Sequence, residues 1–129
     1  MNPAHLKPLP LFEALDKREL DHVSRWMDDV DVKTGRHLVD QGAFAYEFFV
    51  ILEGEAEVLR NGEHLADLGP GDFFGEMALV AGDRRNASVV ARTPMRLGVM
   101  LGRDFMEMED ELPHVAERIT KAIEERRPT

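Results

Sequence analysis

A glycine, a glutamate and an arginine stand close together in LGPGDFFGEMALVAGDRRNASVVA, residues 68–91. Gly75 and Glu76 open a predicted single helical turn, EMAL, and the start of a helix presents backbone N–H groups and a partial positive charge that bind anions. Arg85 can bring a planar, permanently charged fork to two phosphate oxygens. A carboxylate repels a phosphate, so we interpret Glu76 as the acceptor of a nearby hydroxyl, such as a ribose 2′-hydroxyl. The residues themselves indicate a site for an anion with a hydroxyl.

Short strands separated by glycines must form the pocket around this segment. Residues 30–101 contain runs with strand composition, bounded by glycines and other turn residues. Many short antiparallel strands in so short a stretch predict a β-roll of the jelly-roll, or double-stranded β-helix, kind, with its core between two sheets. The predicted strands are VDVK, RHLV, YEFFVIL, EAEVLR, HLADL, SVVAR and MRLGVML.

Helices are predicted on both sides of the roll, which makes the fold class mainly β with flanking helices. An N-terminal helix is expected over 11–28, where Asp16 can cap it with Glu19 three residues on. Two C-terminal helices are expected within 102–127, RDFMEMEDEL and PHVAERITKAIEERR. With no repeat or linker, we expect one domain over 1–129.

Composition argues against several classes of function. The chain has no cysteine and a net charge of −9, so a thiolate metal site is excluded and binding of nucleic acid by this chain alone is not expected. No apolar run reaches the roughly 20 residues of a membrane span, and the N-terminus lacks a secretory pattern, so we expect a cytoplasmic protein. No G-x-S-x-G motif or other catalytic set is present, and no enzyme or cofactor is expected.

The histidines invite a metal hypothesis, because related β-roll folds include metalloenzymes of the cupin type. None lies within five residues of another and no His-x-His pair is present, so no metal site is expected. They are His5, His22, His37, His64 and His114.

The segment FGEMALVAGDRRNASVVA resembles the phosphate-binding cassette of cyclic-nucleotide-binding domains. This family includes the regulatory subunit of protein kinase A, cyclic-nucleotide-gated channels and the catabolite activator proteins. The resemblance extends over residues 11–127, and the last helix, from Pro113, resembles that of a bacterial cyclic-nucleotide-gated potassium channel without a gap. It implies cyclic AMP or cyclic GMP as the ligand and a short phosphate-cassette helix at EMAL.

The resemblance also implies a role for each matching residue. Glu76 would take the ribose 2′-hydroxyl and Arg85 the cyclic phosphate. The remaining implied contacts are the backbone amides of Gly75, Met77 and Ala87, the cradle residues Ala78 and Ser88, the base contacts Val58 and Ala66, and Arg126 over the base.

Two positions bear on the ligand in different ways. Arg126 continues the helical spacing of Val115, Ile119 and Ala122, which places a charge on an apolar face where a purine could stack against it. Asn86 departs from the family, which often has alanine at this position in cyclic-AMP sites and threonine in many cyclic-GMP sites. Cyclic AMP is favoured on family frequency alone, and both ligands stay open.

Three hypotheses follow from these observations. The first is a ligand-gated switch whose C-terminal helix closes over the bound nucleotide and is read by an unknown protein effector. The second is the sensor part of a transcription regulator that resembles the catabolite activator proteins. The third is a β-roll docking scaffold with an unused pocket. The sequence leaves the oligomeric state open.

Overall fold

Eight short strands form the framework of the described part of the chain. The computed structural model describes residues 1–44, 46–75 and 85–126. Seven strands overlap the predicted runs, although β1 begins two residues earlier than expected. The additional β6 has only two residues, too few for an alternating pattern. The strands are β1 (Asp28–Val32), β2 (His37–Val39), β3 (Glu47–Glu53), β4 (Ala56–Arg60), β5 (Glu63–Leu68), β6 (Phe73–Phe74), β7 (Ser88–Ala91) and β8 (Met95–Leu101).

The strands form two antiparallel sheets that enclose an apolar core. Their orders are β1-β8-β3-β6 and β2-β7-β4-β5, so most neighbours within a sheet are distant along the chain. This topology confirms the predicted jelly-roll-like β-roll. The residues buried between the sheets are Phe49, Ile51, Ala56, Phe74, Val89, Ala91, Met95, Leu97 and Val99.

A second apolar core lies on the other face of the sheet that contains β3, in addition to the one expected between the sheets. Along β3, Phe49 and Ile51 belong to the core between the sheets, whereas Phe48 and Val50 pack among residues of the helices. Successive side chains of a strand point to opposite faces, so the unbroken run FFVI in β3 is buried on both sides. This two-faced strand joins the roll to the helical layer.

The helices flank the roll as predicted, although the N-terminal helix is shorter than expected. They are α1 (Pro3–Leu6), a 3₁₀ turn (Pro10–Phe12), α2 (Lys17–Arg25), α3 (Gly102–Glu111) and α4 (Pro113–Arg126). The short cassette helix predicted at EMAL lies outside the described residues. None of the described helices has both the length and the apolar character needed to cross a bilayer.

The predicted helix over 11–28 is wrong at both ends, and a capping box sets its true start. The Asp16 backbone is extended and its side chain accepts a hydrogen bond from the Glu19 N–H at 2.9 Å. The Glu19 carboxylate accepts from the Asp16 N–H at 3.0 Å in return. This reciprocal pair satisfies the exposed N–H groups and starts the helix at Lys17. At the other end Trp26 closes the helix, two residues before β1 begins.

Glu19 also connects α2 to α4. Arg118 Nη1 donates to both carboxylate oxygens of Glu19, at 2.9 and 2.8 Å, and His114 Nε2 lies 3.3 Å from one of them. Beside this ionic contact, Val115 and Ile119 are almost fully buried in the helical core, as their predicted apolar stripe requires. The C-terminal helix is therefore packed against the N-terminal helices by apolar and ionic contacts together.

Candidate functional site

Arg85 lies inside the protein and is anchored to the start of β3 and to the loop before it. Its exposed fraction is 7%, and it is the one charged residue among the described ones that is buried to this degree. The guanidinium Nη2 donates to the carbonyl of Glu47 at 2.5 Å. The Arg85 N–H donates to the carbonyl of Ala43 at 2.7 Å, and its carbonyl accepts from the N–H of Gly42 at 2.8 Å. The side chain thus points inward, unlike an ordinary surface arginine.

Gly75 lies directly against the Arg85 guanidinium. A Cβ at position 75 would be 2.7 Å from the carbonyl oxygen of Glu47, 2.8 Å from Arg85 Nη1 and 3.3 Å from Arg85 Cζ. The residue also has a φ of +78°, which glycine adopts far more readily than other residues. The structure shows that the missing side chain of Gly75 makes room for the guanidinium.

Two of the three residues after Arg85 accept hydrogen bonds from other parts of the chain. The Asn86 carbonyl accepts a hydrogen bond from Arg60 Nε at 3.2 Å, and the Ser88 hydroxyl oxygen accepts one from the Gln41 N–H at 2.8 Å. Ala87 and Ser88 are half-buried, whereas Asn86 is exposed. The hydroxyl of Ser88 keeps its proton available for a further acceptor.

Val58 and Ala66 lie directly opposite each other on β4 and β5. Val58 also lies opposite Val89 of β7, and Ser88 lies opposite Leu59. Directly opposed side chains of antiparallel strands are in contact range. The two implied base contacts therefore form one half-buried apolar patch in the same sheet as the residues that follow Arg85.

Three predicted site residues, Glu76, Met77 and Ala78, lie outside the described residues. Arg126 is the last residue of α4 and is described by its backbone alone. Its position continues the helical register of the buried Ile119 and Ile123.

Sequence reasoning missed the backbone groups that hold Arg85. The carbonyls of Ala43 and Glu47 and the N–H of Gly42 surround the arginine, yet any residue type carries such groups. The glycine at position 42, in a predicted turn, was the one available signal.

Four of the histidines lie within 4 Å of a carboxylate oxygen: His5, His37, His64 and His114. His64 Nδ1 lies 2.7 Å from Glu57 Oε2, and Arg92 donates to the same oxygen at 2.6 Å. The hydrogen bond with His64 and the neighbouring Arg92 lower the pKa of Glu57 below its usual value, although partial desolvation opposes them. Over 1–44, 46–75 and 85–126, no group of three or more His, Asp or Glu residues is arranged to hold a metal ion.

Comparison with known proteins places this site in a family. The profile of the cyclic nucleotide-binding domain matches residues 29–111, which include the roll, Gly75 and Arg85. The chain belongs to the cyclic nucleotide-binding domain family. Membership agrees with the resemblance found in the sequence and with the observed β-roll.

Relatives of this domain occur in proteins of different kinds. A cyclic nucleotide-gated potassium channel of Rhizobium etli is 36% identical over 119 residues, which cover 92% of this chain and 33% of the channel. A cAMP-dependent protein kinase regulatory subunit of Schizosaccharomyces pombe is 36% identical over 93 residues, which cover 71% of this chain and 23% of the subunit. The chain thus spans a third or less of the length of these two relatives.

A solved structure has the same fold. The catabolite activator protein of Thermus thermophilus superposes with a TM-score of 0.80 at 29% identity, covering 91% of this chain and 57% of that one. Two sequence relatives and a structural neighbour therefore carry this domain within longer chains.

The Gly75→Ala variant tests whether the guanidinium requires a residue without a side chain at this position. We expect it to lower the free energy of unfolding by about 1–3 kcal/mol, from the positive φ and the clash, and to weaken cyclic nucleotide binding at least about 30-fold. Urea titration and calorimetry with cyclic AMP measure the two effects.

Gly35→Ala is the matched control. Gly35 has a φ of +88° and nothing within 4 Å of an added Cβ, so it shares the backbone strain without the clash. An equal loss of binding in both variants would show that strain alone matters and that Arg85 does not depend on Gly75.

Proposed function

We propose that this domain is a regulatory module that binds a cyclic nucleotide, cyclic AMP in preference to cyclic GMP, and catalyses no reaction on it. The observation that carries the proposal is the buried Arg85 guanidinium, packed against Gly75 in a protein whose net charge is −9. A buried cation in such a protein is stabilised by an anion, and the match to the cassette makes that anion a cyclic phosphate.

The other contacts follow from the family pattern. Glu76 would accept from the ribose 2′-hydroxyl, and the backbone amides of Gly75 and Ala87 would donate to the phosphate. The purine would rest on the apolar patch of Val58 and Ala66. These two residues offer aliphatic contact alone, so the patch recognises the flat face of a base and leaves its identity to other groups.

The preference for cyclic AMP rests on family frequency, because the residue after Arg85 favours neither nucleotide. Many cyclic-GMP sites have threonine there, and this chain has Asn86, whose carbonyl accepts from Arg60. One relative is named for its dependence on cAMP. We expect direct comparison of the two nucleotides to favour cyclic AMP.

The C-terminal helices would transmit binding to a protein effector. The Tyr46 carbonyl accepts from the N–H of Gly102, the first residue of α3, at 2.9 Å, and the next carbonyl, that of Glu47, holds Arg85. Two adjacent carbonyls at the start of β3 therefore contact Arg85, the proposed phosphate ligand, and the first residue of α3. A lid contact of about 1–2 kcal/mol would bias the helix position about five- to thirtyfold.

A second candidate is the sensor part of a transcription regulator. The superposition on the Thermus thermophilus catabolite activator protein, which leaves 43% of that chain uncovered (100 minus 57), favours it. The natural reading frame and its DNA binding with and without cyclic AMP distinguish this candidate from a module of a channel or kinase. Both candidates place the domain in the cytoplasm, where cyclic nucleotides act as messengers.

Replacing Arg85 by alanine is the direct test of the proposed ligand. We expect a loss of roughly 2–4 kcal/mol in binding, about 30- to 1,000-fold in affinity, because the phosphate loses its charged partner. Calorimetry measures the affinity, and thermal shifts with cyclic AMP, cyclic GMP and linear AMP measure the selectivity, since a ligand of the native state raises the melting temperature.

The control for this test is Arg96→Ala, which removes the same charge from an arginine paired with Asp31 on the sheet. It should bind like the unaltered protein. If micromolar cyclic AMP and cyclic GMP both fail to raise the melting temperature of the unaltered protein, the proposal fails and a docking scaffold is favoured.

Replacing Arg126 by alanine tests the lid. We expect cyclic AMP to dissociate about 2- to 30-fold faster, which corresponds to a lost cation–π contact of roughly 0.5–2 kcal/mol. Stopped-flow displacement of a fluorescent analogue gives the rate. Lys121→Ala removes the same charge from an exposed position of α4 and should leave the rate unchanged, and equal rates in Arg126→Ala and the unaltered protein would exclude the lid role.

A further inference from the structure

Gln41 connects three segments of the roll that are far apart in the sequence. Its backbone N–H donates to the Ser88 hydroxyl oxygen at 2.8 Å. Its side-chain Nε2 donates to Asn61 Oδ1 at 2.9 Å, and its Oε1 accepts from the Asn61 N–H at 2.8 Å. One residue of the loop between β2 and β3 thus holds the turn between β4 and β5 and the first residue of β7.

The two residues that follow Gln41 are hydrogen-bonded to the backbone of Arg85. Gly42 donates to the Arg85 carbonyl and Ala43 accepts from the Arg85 N–H. The loop therefore holds this chain segment at Arg85 by two backbone bonds, and at Ser88 by the N–H of Gln41. If this loop shifts, Arg85 must shift with it.

The turn between β4 and β5, which Gln41 bonds, has a well-defined backbone conformation at Asn61. Asn61 has a φ of 53°, in the left-handed region that asparagine tolerates better than most residues. Its neighbour Arg60 donates to the carbonyl of Asn86. Arg60 at the end of β4 and Gln41 of the β2–β3 loop therefore both contact the segment after Arg85. The paired amides of Gln41 and Asn61 join that loop to the β4–β5 turn.

Gln41 and Asn61 are both exposed. Hydrogen bonds between exposed groups replace equivalent bonds to water, so they add little to the free energy of unfolding. Their reciprocal geometry still fixes the relative position of two loops. An effect on ligand affinity that exceeds the effect on stability would distinguish positioning from general support of the fold.

We propose that Gln41 is a positioning residue of the nucleotide site, which places Arg85 for the phosphate through its amide pair with Asn61. This inference rests on the proposed function of the site. Gln41 touches no ligand in this arrangement, and its effect passes through the loop residues Gly42 and Ala43.

The first test replaces Gln41 by leucine, which keeps the backbone bond to Ser88 and removes both amide bonds. Affinity for cyclic AMP, measured by calorimetry, should fall about five- to thirtyfold, the equivalent of one or two hydrogen bonds. The melting temperature without ligand should stay close to that of the unaltered protein. Asn61→Asp, which keeps the acceptor for Gln41 Nε2 and tolerates the positive φ, should retain most of the affinity.

The matched control is Thr93→Val. Thr93 Oγ1 accepts from the Glu55 N–H at 2.9 Å and so joins two turns in the same way, with partners other than Arg85 and the residues after it. This variant should bind cyclic AMP with unchanged affinity. A loss as large as that of Gln41→Leu would overturn the inference, because any loop contact would then have the same effect.

A double-mutant cycle connects the effect to Arg85. Arg85→Lys keeps a charge and a measurable affinity, and it removes the planar fork that needs exact placement. If Gln41 acts through the guanidinium, Gln41→Leu should reduce the affinity for cyclic AMP less in the Arg85→Lys background than in the unaltered protein. We expect the fold-loss of affinity to be less than about half as large. Independent, multiplicative losses would overturn the inference.

The outcomes separate this inference from the proposed function. Binding by the unaltered protein together with equal binding by Gln41→Leu overturns the positioning role and leaves the proposed function standing. Absence of binding by the unaltered protein overturns both.

Discussion

A guanidinium held away from water inside a negatively charged protein is the constraint on which the rest of the structure depends. The charge of Arg85 is costly to bury, so backbone carbonyls must face it and no neighbouring side chain may displace it. The Glu47 carbonyl and the bare Cα of Gly75 meet these two needs. If the proposed function holds, a site prepared in this way would bind an anionic ligand without first having to order its own cation.

The position of this cation follows from the two-faced strand β3. One side of β3 packs into the core between the sheets and the other into the helical core, and its first residue, Glu47, lies opposite Leu101 of β8. The Glu47 carbonyl, which accepts from Arg85, therefore belongs to a strand that packs into both cores. The start of β3 also connects the site to the helices, because Tyr46 precedes Glu47 and bonds the start of α3.

Contacts from outside the family motif complete the site. Residues 85–88 include the proposed phosphate contacts, and they are bonded by residues 41–43 of the β2–β3 loop and by Arg60 at the end of β4. Such hydrogen bonds contribute little to the free energy of unfolding, because bonds between exposed groups replace bonds to water. In our proposal, the placement of Arg85 thus depends on residues whose loss would barely affect folding.

The sequence by itself determined seven strands, the Asp16 capping box and the family, because each is encoded in local composition, spacing or a long specific motif. The tertiary structure decided where the N-terminal helix ends, that β3 is buried on both faces, and which described groups surround Arg85. Apart from Gly75, the described groups are backbone carbonyls and an N–H group, which almost every residue type carries, so no residue type records them. They meet only after the sheets form and bring distant segments together.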